Sequence, residues 1–276
     1  MTSSALQEIV ALLGSPAAGN PAQYLFERAL NSVDLDWRFL TLDVECPRLG
    51  DALTGIEALG FHGCLLAQPL QEAALQCIEN TTPSARFSGG VSNITRSADG
   101  LVGHMTEGRG IIEALRHHVD PASQNILIFG GNTVAKATAL ELILAGCPKI
   151  TLCDSNGEHV RSVVTSLNEL GANHASSLEW ESIIEIPAEI DIVISTLSSE
   201  AFADEVRGFR KELIVADTAL STDASLLLKS GAETGSCVVN GLEIYAEKTA
   251  IDFQTWTNLL PDIDMLREAL DEFLDA

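Results

Sequence analysis

The sequence FGGNTVAKA, residues 129–137, has the residue types of a turn that binds nucleotides. An apolar run precedes it and a helical period follows it, so the pattern predicts a strand, a glycine turn and a helix. In such a unit the backbone N–H groups at the start of the helix can bind the pyrophosphate of a dinucleotide. The motif for this turn is G-x-G-x-x-G/A, and its positions are occupied here by Gly130, Gly131, Asn132, Thr133, Val134 and Ala135.

The turn meets two of the motif's requirements and alters a third. Gly130 supplies the tight turn, and Ala135 is small enough to let the helix approach the strand. Asn132 stands where a glycine normally admits the pyrophosphate, and its side chain can either donate to a phosphate or obstruct it. Asp154 lies 24 residues after Gly130, at the end of the next predicted strand, where a carboxylate would bind ribose hydroxyls. Together these residues favour a dinucleotide site over a purely structural turn.

The elements that must position this turn alternate between strands and helices along the chain. Apolar runs predict strands at 9–13, 37–44, 62–66, 125–129, 149–153, 191–195 and 212–216. Helical periods predict helices at 21–31, 49–59, 70–78, 106–119, 158–170, 242–253 and 262–274. Residues 89–96 are predicted to be an extended segment that ends in the turn SADG. The alternation implies an α/β protein with parallel sheets covered by helices, and two compact units that meet near residue 105.

The charge balance excludes some classes of partner. Of the 276 residues, 39 are Asp or Glu and 16 are Lys or Arg, giving a formal net charge of −23. So acidic a chain offers no basic stripe to nucleic acid or to an anionic membrane surface. The N-terminus lacks the basic region of a signal peptide, and no apolar run approaches the roughly 20 residues that span a bilayer. The six cysteines are scattered without a C-x-x-C pair, so we expect a cytoplasmic protein with reduced thiols and no metal site.

Several stretches of the chain resemble the shikimate dehydrogenase family. The resemblance is carried by ALGFHGCLLAQPLQEAA, RSADGLVGHMTEGRGI, NILIFGGNTVAKATALELILAGCPKITLCDSN, VADTALSTDASLLLKSGA and VVNGLEIYAEKTAIDFQTWTNLLPDIDMLREAL. It implies a two-domain α/β fold with an N-terminal substrate domain at 1–105 and a Rossmann-type dinucleotide-binding domain at 106–240. It also implies that C-terminal helices at 241–276 return to the first domain.

The resemblance assigns expected roles to individual residues. The expected cofactor-binding residues are Gly130, Gly131, Asn132, Thr133, Val134, Asp154, Ser155 and Gly241. The expected substrate-binding residues are Ser15, Ser92, Asn93, Thr106 and Lys248. The expected catalytic residues are Gln71, Glu107 and Lys248. Gln71 stands at the position of the family's catalytic lysine, Glu107 at that of its aspartate, and Lys248 at that of a substrate-binding glutamine.

These departures leave two functions open, because Gln71 cannot exchange a proton at neutral pH. One is an NAD(P)-dependent oxidoreductase that transfers hydride between a ring hydroxyl of an alicyclic hydroxy acid and a nicotinamide cofactor, with an altered active site. The alternative is a catalytically impaired homologue that binds a metabolite or a nucleotide.

Finer expectations concern the cofactor and the substrate. Asp154 would repel the 2′-phosphate of NADP and accept hydrogen bonds from a free ribose diol, so NAD is predicted to be preferred. Lys248 and Glu107 are predicted to form a relocated ammonium–carboxylate pair that anchors an anionic small-molecule substrate or manages its proton. We expect a monomer or a homodimer.

Overall fold

The computed structural model describes residues 7–171, 174–198 and 205–275. The chain divides into two compact units: unit 1 consists of residues 1–106 and 248–276, and unit 2 of residues 107–247. Helices and strands alternate in both units, which confirms the predicted α/β class. Within the described ranges, no helix is both long and apolar enough to cross a membrane.

Unit 1 is built on one six-stranded sheet. Its strands are β1 Ile9–Gly14, β2 Arg38–Asp43, β3 Gly63–Leu66, β4 Asn80–Thr81, β5 Asn93–Ser97 and β6 Gly100–His104. They lie in the order β2-β1-β3-β5-β6-β4. The inner strands β1 and β3 are continuous apolar runs and are almost wholly buried, as expected of strands covered on both faces.

The prediction of parallel sheets is wrong for part of this sheet. β1 pairs in parallel with β2 and β3, but β5 runs antiparallel to β3 and to β6. Ser97 and Gly100 face each other across β5 and β6, so only two residues connect these strands. A parallel pair needs a crossover of about a dozen residues, so the SADG turn permits only an antiparallel pair.

The helices of unit 1 differ from the prediction where they are short. They are α1 Ala22–Ser32, α2 Leu49–Ala58, α3 Leu70–Ala73, α4 Pro83–Ser88 and α10 Ile263–Leu274. The predicted helix at 70–78 ends at Ala73 and continues as a 3₁₀ turn to Gln76. α4 was not predicted, and the extended segment expected at 89–96 begins only at Asn93. At six residues, α4 is too short for a helical period, although Gly89, with φ +84°, ends it in the usual way.

The C-terminal helices return to unit 1, as predicted. Helix α9, Gly241–Thr257, begins in unit 2 and ends in unit 1. In unit 1 the ring of Trp256 lies 5.2 Å from that of Phe26 in α1. α10 packs against α1, where the rings of Tyr24 and Phe273 lie 5.9 Å apart. The aromatic side chains of α1 therefore hold both C-terminal helices against the first sheet.

Unit 2 carries the parallel sheet that the sequence predicts. Its strands are β7 Asn125–Phe129, β8 Lys149–Cys153, β9 Ala175–Ser177, β10 Ile183–Glu185, β11 Ile192–Ser195, β12 Glu205–Arg207, β13 Ile214–Asp217 and β14 Cys237–Val239. Six of them form a parallel sheet in the order β14-β13-β11-β7-β8-β9, and β10 pairs with β12. β7 lies between β8 and β11, so the chain leaves β7 in one direction and later returns on its other side. Ligands of open α/β sheets bind at the carboxyl ends of the strands beside such a switch point.

The helices of unit 2 cover this sheet. They are α5 Glu107–Arg116, α6 Thr133–Ala145, α7 Gly157–Glu169 and α8 Leu226–Glu233. α5 is shorter than the predicted helix at 106–119, and β13 begins two residues later than the predicted strand at 212–216. The three-residue strands β9, β10, β12 and β14 were not predicted, because so few residues show no alternation.

The six cysteines are free thiols. Cys64 in β3, Cys153 in β8 and Cys147 are buried, and burial raises the pKa of Cys64 and Cys153 to about 12 and that of Cys147 to about 11. The other three, at positions 46, 77 and 237, are exposed. Among the described residues, no group of three or more His, Cys, Asp and Glu is placed to hold a metal ion.

Candidate active site and nucleotide-binding turn

The predicted glycine turn follows β7, in the middle of the parallel sheet of unit 2. Gly130 has φ +129°, and its N–H donates to the Cys153 carbonyl at 2.8 Å. A Cβ atom at Gly130 would lie 2.3 Å from Thr196 Oγ1, and one at Gly131 would lie 2.9 Å from His159 Cδ2. Backbone conformation therefore demands glycine at Gly130, and a side chain at Gly131 would have to displace the ring of His159.

Asn132 is the N-cap residue of α6. Its Oδ1 accepts a hydrogen bond from Ala135 N at 2.9 Å, and its Nδ2 donates to the Thr196 carbonyl at 2.7 Å. The side chain therefore caps the helix and ties it to the segment after β11. Thr133 and Val134 are the first two residues of α6, at the positive end of the helix dipole.

Asp154 follows β8 and lies against the turn. Its Oδ2 accepts a hydrogen bond from Gly131 N at 2.9 Å. Its Oδ1 accepts hydrogen bonds from Asn156 N at 2.9 Å and from Ser155 Oγ at 3.3 Å. The structure thus brings together the turn and the acidic residue that the sequence analysis paired with it.

Gly241 lies at the same edge of the sheet, where β14 leads into α9. A Cβ atom here would lie 2.1 Å from the Ala219 carbonyl oxygen, so the start of α9 approaches the backbone after β13 too closely for any other residue. Asp217, at the end of β13, accepts a hydrogen bond from Ala219 N at 2.9 Å. Burial raises the pKa of the Asp217 carboxyl, against the lowering effect of a hydrogen bond from Ser225.

In unit 1, two of the expected substrate-binding residues contact each other. Ser92 and Thr106 are 0% and 3% exposed, and their hydroxyl oxygens lie 2.9 Å apart. Thr106 N also donates to Ser92 Oγ at 2.9 Å. Thr106 Oγ1 in turn donates to Asp252 Oδ1 at 2.7 Å. Since the Thr106 proton goes to the carboxylate, Ser92 must donate to Thr106, and the direction of this chain of hydrogen bonds is fixed.

Asp252 joins this chain to the remaining residues of the group. Its Oδ1 also accepts a hydrogen bond from Asn93 Nδ2 at 2.8 Å, and its Oδ2 lies 2.7 Å from Lys248 Nζ. We call Ser92, Asn93, Thr106, Lys248 and Asp252 the α9 polar cluster. Four of these residues are expected substrate-binding residues, and Asp252 brings them together.

Sequence reasoning missed Asp252. A signal was present, because Lys248 and Asp252 are four residues apart and share one face of a helix. The stretch Ala246–Phe253 around them is buried at every position. The partner that the sequence analysis proposed for Lys248 was Glu107, which opens α5 in unit 2, and that pair stays a prediction.

Two other expected site residues lie outside the α9 polar cluster. Gln71 is 4% exposed; its Nε2 donates to the Leu66 carbonyl at 3.0 Å, and its Oε1 accepts from Gln68 Nε2 at 3.0 Å. Gln71 is thus tied to the loop between β3 and α3. Ser15 is half-buried and follows β1, in a loop where Ala17 N donates to Asp43 Oδ1 at 2.6 Å.

The chain is similar to characterised proteins over nearly all of its length. No family model matches the chain. Two curated relatives named shikimate dehydrogenase (NADP(+)) come from Bacillus mycoides and Pyrococcus abyssi. The first is 25% identical over 271 residues, covering 95% of this chain and 97% of the relative. The second is 26% identical over 267 residues, covering 94% and 96%.

Solved structures extend the similarity to the whole fold. The ligand-free 5-ketofructose reductase of Gluconobacter sp. strain CHM43 matches with a TM-score of 0.91 and 25% identity, covering 98% of this chain and 99% of that one. Shikimate 5-dehydrogenase from Listeria monocytogenes, solved with shikimate and NAD, matches with a TM-score of 0.84 and 20% identity, covering 98% of each chain. The chain is thus similar in sequence to shikimate dehydrogenases along nearly its entire length, and it shares their fold.

Proposed function

We propose that the protein is an NAD(P)-dependent oxidoreductase that transfers hydride between a nicotinamide cofactor and a carbon bearing a hydroxyl in a small polyhydroxylated molecule. The observation that carries this proposal is the glycine turn at the switch point of the parallel sheet, with the Asp154 carboxylate hydrogen-bonded to it. The similarity to shikimate dehydrogenases over 95% of the chain supports the same reading.

The residues of the turn fit a dinucleotide. Gly130 and Gly131 keep side chains away from the carboxyl ends of the strands, and the first N–H groups of α6 suit a pyrophosphate. Asp154 and Ser155 would hold the adenosine ribose. Gly241 would lie beside the nicotinamide. When bound, the nicotinamide supplies or accepts the hydride, while the protein orients the substrate and exchanges a proton with it.

We propose that NAD is preferred over NADP. The half-buried carboxylate of Asp154 lies beside the turn, where a 2′-phosphate would be repelled and a ribose diol would find an acceptor. Titration calorimetry with both oxidised cofactors tests this preference. We expect the lower dissociation constant for NAD⁺. Asp154→Asn keeps the acceptor for Gly131 N and should reduce the difference between the dissociation constants for NAD⁺ and NADP⁺. Tighter binding of NADP⁺ to the unaltered protein would contradict the proposal.

Two substrate classes are candidates. The first is an anionic alicyclic hydroxy acid, as the family resemblance implies. The second is a neutral polyhydroxylated ketone, and the loop after β1 favours it. Asp43, the last residue of β2, accepts a hydrogen bond from Ala17 N in that loop, and its carboxylate would repel a second carboxylate on the substrate. The similarity to 5-ketofructose reductase supports the same class.

A substrate panel separates these classes. The protein would be mixed with NAD⁺ and cyclic hydroxy acids, or with NADH and polyhydroxylated ketones, and the absorbance of the reduced nicotinamide followed. Turnover of ketones alone would support the neutral class, and turnover of hydroxy acids alone the anionic one. Asp43→Asn should improve kcat/KM for an anionic substrate and leave that for a neutral one nearly unchanged.

Binding without turnover would favour the non-catalytic alternative. Calorimetry that shows heat with NAD⁺ and a panel compound, while no reduced cofactor is formed or consumed, identifies a metabolite-binding protein. Absence of heat with every nicotinamide cofactor at millimolar concentration would end the proposed function. Light scattering in the same buffers decides between the expected monomer and homodimer.

A further inference from the structure

A buried ion pair lies within α9. Lys248 Nζ lies 2.7 Å from Asp252 Oδ2, and the two side chains are 10% and 0% exposed. Burying two charges is unfavourable, and well-packed apolar side chains would stabilise the structure at least as well. Helix formation does not explain the pair either, because the favourable order places the acidic residue four positions before the basic one, and here the order is reversed. Stability alone therefore gives no reason for these two residue types.

The position of the carboxylate is fixed by its neighbours. Asp252 Oδ1 accepts from Thr106 Oγ1 at 2.7 Å and from Asn93 Nδ2 at 2.8 Å, while Oδ2 accepts from Lys248. Ser92 completes the arrangement by donating to Thr106 at 2.9 Å. The start of β5, the segment after β6 and helix α9 thus hold one carboxylate, and the carboxylate holds the ammonium group. Hydrogen bonds of this kind, made by the neighbours of a reacting group, keep that group in a productive position.

Asn93 provides an acceptor beside this pair. Since its Nδ2 donates to Asp252, its Oδ1 must face away from the carboxylate. Asn93 Oδ1 is buried and has no hydrogen-bond partner among the described residues. A buried acceptor without a partner is unfavourable, and a hydroxyl group of a bound small molecule would satisfy it. Asn93 and Lys248 bond to the two oxygens of the same carboxylate.

We infer that Lys248 is the proton donor and acceptor of the proposed reaction, that Asp252 positions it, and that Asn93 Oδ1 accepts a hydrogen bond from a substrate hydroxyl. This inference rests on the proposed function. In the reducing direction a bound reduced nicotinamide would supply hydride to the carbonyl carbon, the electron pair of the C=O π bond would move to the oxygen, and Lys248 Nζ would give that oxygen a proton. The neutral amine then regains a proton from water. Oxidation follows the same steps in reverse.

This assignment accounts for Gln71. Gln71 stands where the family has its catalytic lysine, cannot exchange a proton, and uses its side-chain amide to hold Leu66 and Gln68. A lysine on α9 supplies the missing proton exchange from a different element.

Kinetics with matched variants tests the role of Lys248. Lys248→Arg keeps the charge and a partner for Asp252 but cannot give up a proton at neutral pH. We expect it to lower kcat about 10²- to 10⁴-fold while the dissociation constant for the nicotinamide cofactor changes less than about threefold. Lys149→Met is the control, since Lys149 forms an exposed pair with Glu189 at 3.0 Å, and it should leave kcat unchanged. Turnover by Lys248→Arg within about tenfold of the unaltered protein overturns the inference.

A spectroscopic measurement tests the role of Asp252 without turnover. The chain has five lysines, so the ε-carbon signals of a lysine-labelled sample can be resolved, and the signal missing from Lys248→Arg belongs to Lys248. In Asp252→Asn its titration should move to lower pH, because the nearby negative charge favours the ammonium form. In the same variant, the part of the pH profile of kcat/KM that reflects Lys248 should also move to lower pH. An unmoved Lys248 titration in Asp252→Asn overturns the positioning role.

The two proposals fail in different ways. If the unaltered protein binds no nicotinamide cofactor, the proposed function fails, and the lysine titration still decides whether Asp252 controls Lys248. If Asp252→Asn does not fold, Lys248→Met with Asp252→Leu removes both charges together. This double variant should fold, bind cofactor and show no turnover, whereas turnover by it overturns the inference.

Discussion

At the scale of single residues, the altered position of the glycine turn has a structural task. Asn132 caps α6 through Ala135 N and holds the Thr196 carbonyl, so its side chain is already engaged before any ligand binds. The turn therefore has a helix-capping side chain where the motif has a conformationally flexible second glycine.

We expect Asn132→Ala to lower the free energy of unfolding by about 1–2 kcal/mol, because it removes the cap of α6. Asn132→Asp keeps the capping oxygen and should lose less stability, but its charge should weaken NAD⁺ binding several-fold. Urea denaturation and calorimetry measure the two effects. Asp262→Ala removes the cap of α10 in unit 1 and is the control. It should lower stability without changing cofactor affinity, and a similar loss of affinity in both alanine variants would contradict a local role for Asn132.

Asp217 should make the stability of the protein depend on pH. Burial raises the pKa of its carboxyl in the folded state above the ordinary value of about 3.9. The protonated form is thus favoured by folding, and this contribution is complete below the ordinary pKa and is lost as pH rises through the raised value. Asp217→Asn has no carboxyl at this position, so its stability should not show this loss as pH rises. The unfolding free energy of the unaltered protein minus that of the variant should therefore fall as pH rises above about 4, and then level off. A constant difference across the acidic range would show that Asp217 does not titrate as described.

At the scale of elements, the contact between α5 and α6 depends on one glycine. A Cβ atom at Gly108 would lie 2.6 Å from the backbone carbon of Ala137 and 2.7 Å from Thr138 N. Since these are backbone atoms, they cannot move aside as a flexible side chain would. The two helices must separate to accept any larger residue.

Gly108→Ala is therefore expected to lower the unfolding free energy by about 1–3 kcal/mol, as overpacked helices usually do. Gly55→Ala in α2 is the matched control, because no atom lies within 4 Å of the added Cβ. It should raise the unfolding free energy by about 0.5–1 kcal/mol through helix propensity. Urea denaturation of both variants measures the contrast, and equal effects of either sign would contradict the close packing of α5 on α6.

Sequence reasoning succeeded where the signal is local. The strand, turn and helix at β7 and α6 follow from consecutive residues, and the structure places them as predicted. In unit 1 the short SADG turn sets the direction of β6 against β5, but only the paired structure shows that β5 is antiparallel to β3. Asp252 was missed for a similar reason, since its meaning depends on Asn93 and Thr106, which lie 159 and 146 residues away. Helical spacing alone could not show that one carboxylate joins residues so far apart in the sequence.

At the scale of the whole molecule, the dominant property is net charge. A formal charge of −23 on 276 residues makes the folded chain repel itself, because compaction brings the carboxylates closer together. Many of the described ion pairs, such as Arg38 with Asp36, are exposed and contribute little against this repulsion. Dissolved salt screens the repulsion more than it weakens such pairs.

We expect the melting temperature to rise with added sodium chloride, with most of the rise complete by about 0.15 M, where the screening length is about 8 Å. Differential scanning calorimetry at fixed pH measures it. Sodium chloride and choline chloride should act alike if screening is the cause. A rise with sodium alone would indicate specific cation binding instead, and a fall would show that attractive pairs outweigh the repulsion.

The buried thiols of Cys64 and Cys153 can serve as two internal probes of local unfolding. One lies in the central sheet of unit 1 and the other in that of unit 2, and neither can react with a thiol reagent until its own sheet opens. After the exposed cysteines at 46, 77 and 237, and buried Cys147, are replaced, the two rates of modification report local opening separately. NAD⁺ should slow the reaction of Cys153, beside the glycine turn, and leave that of Cys64 unchanged.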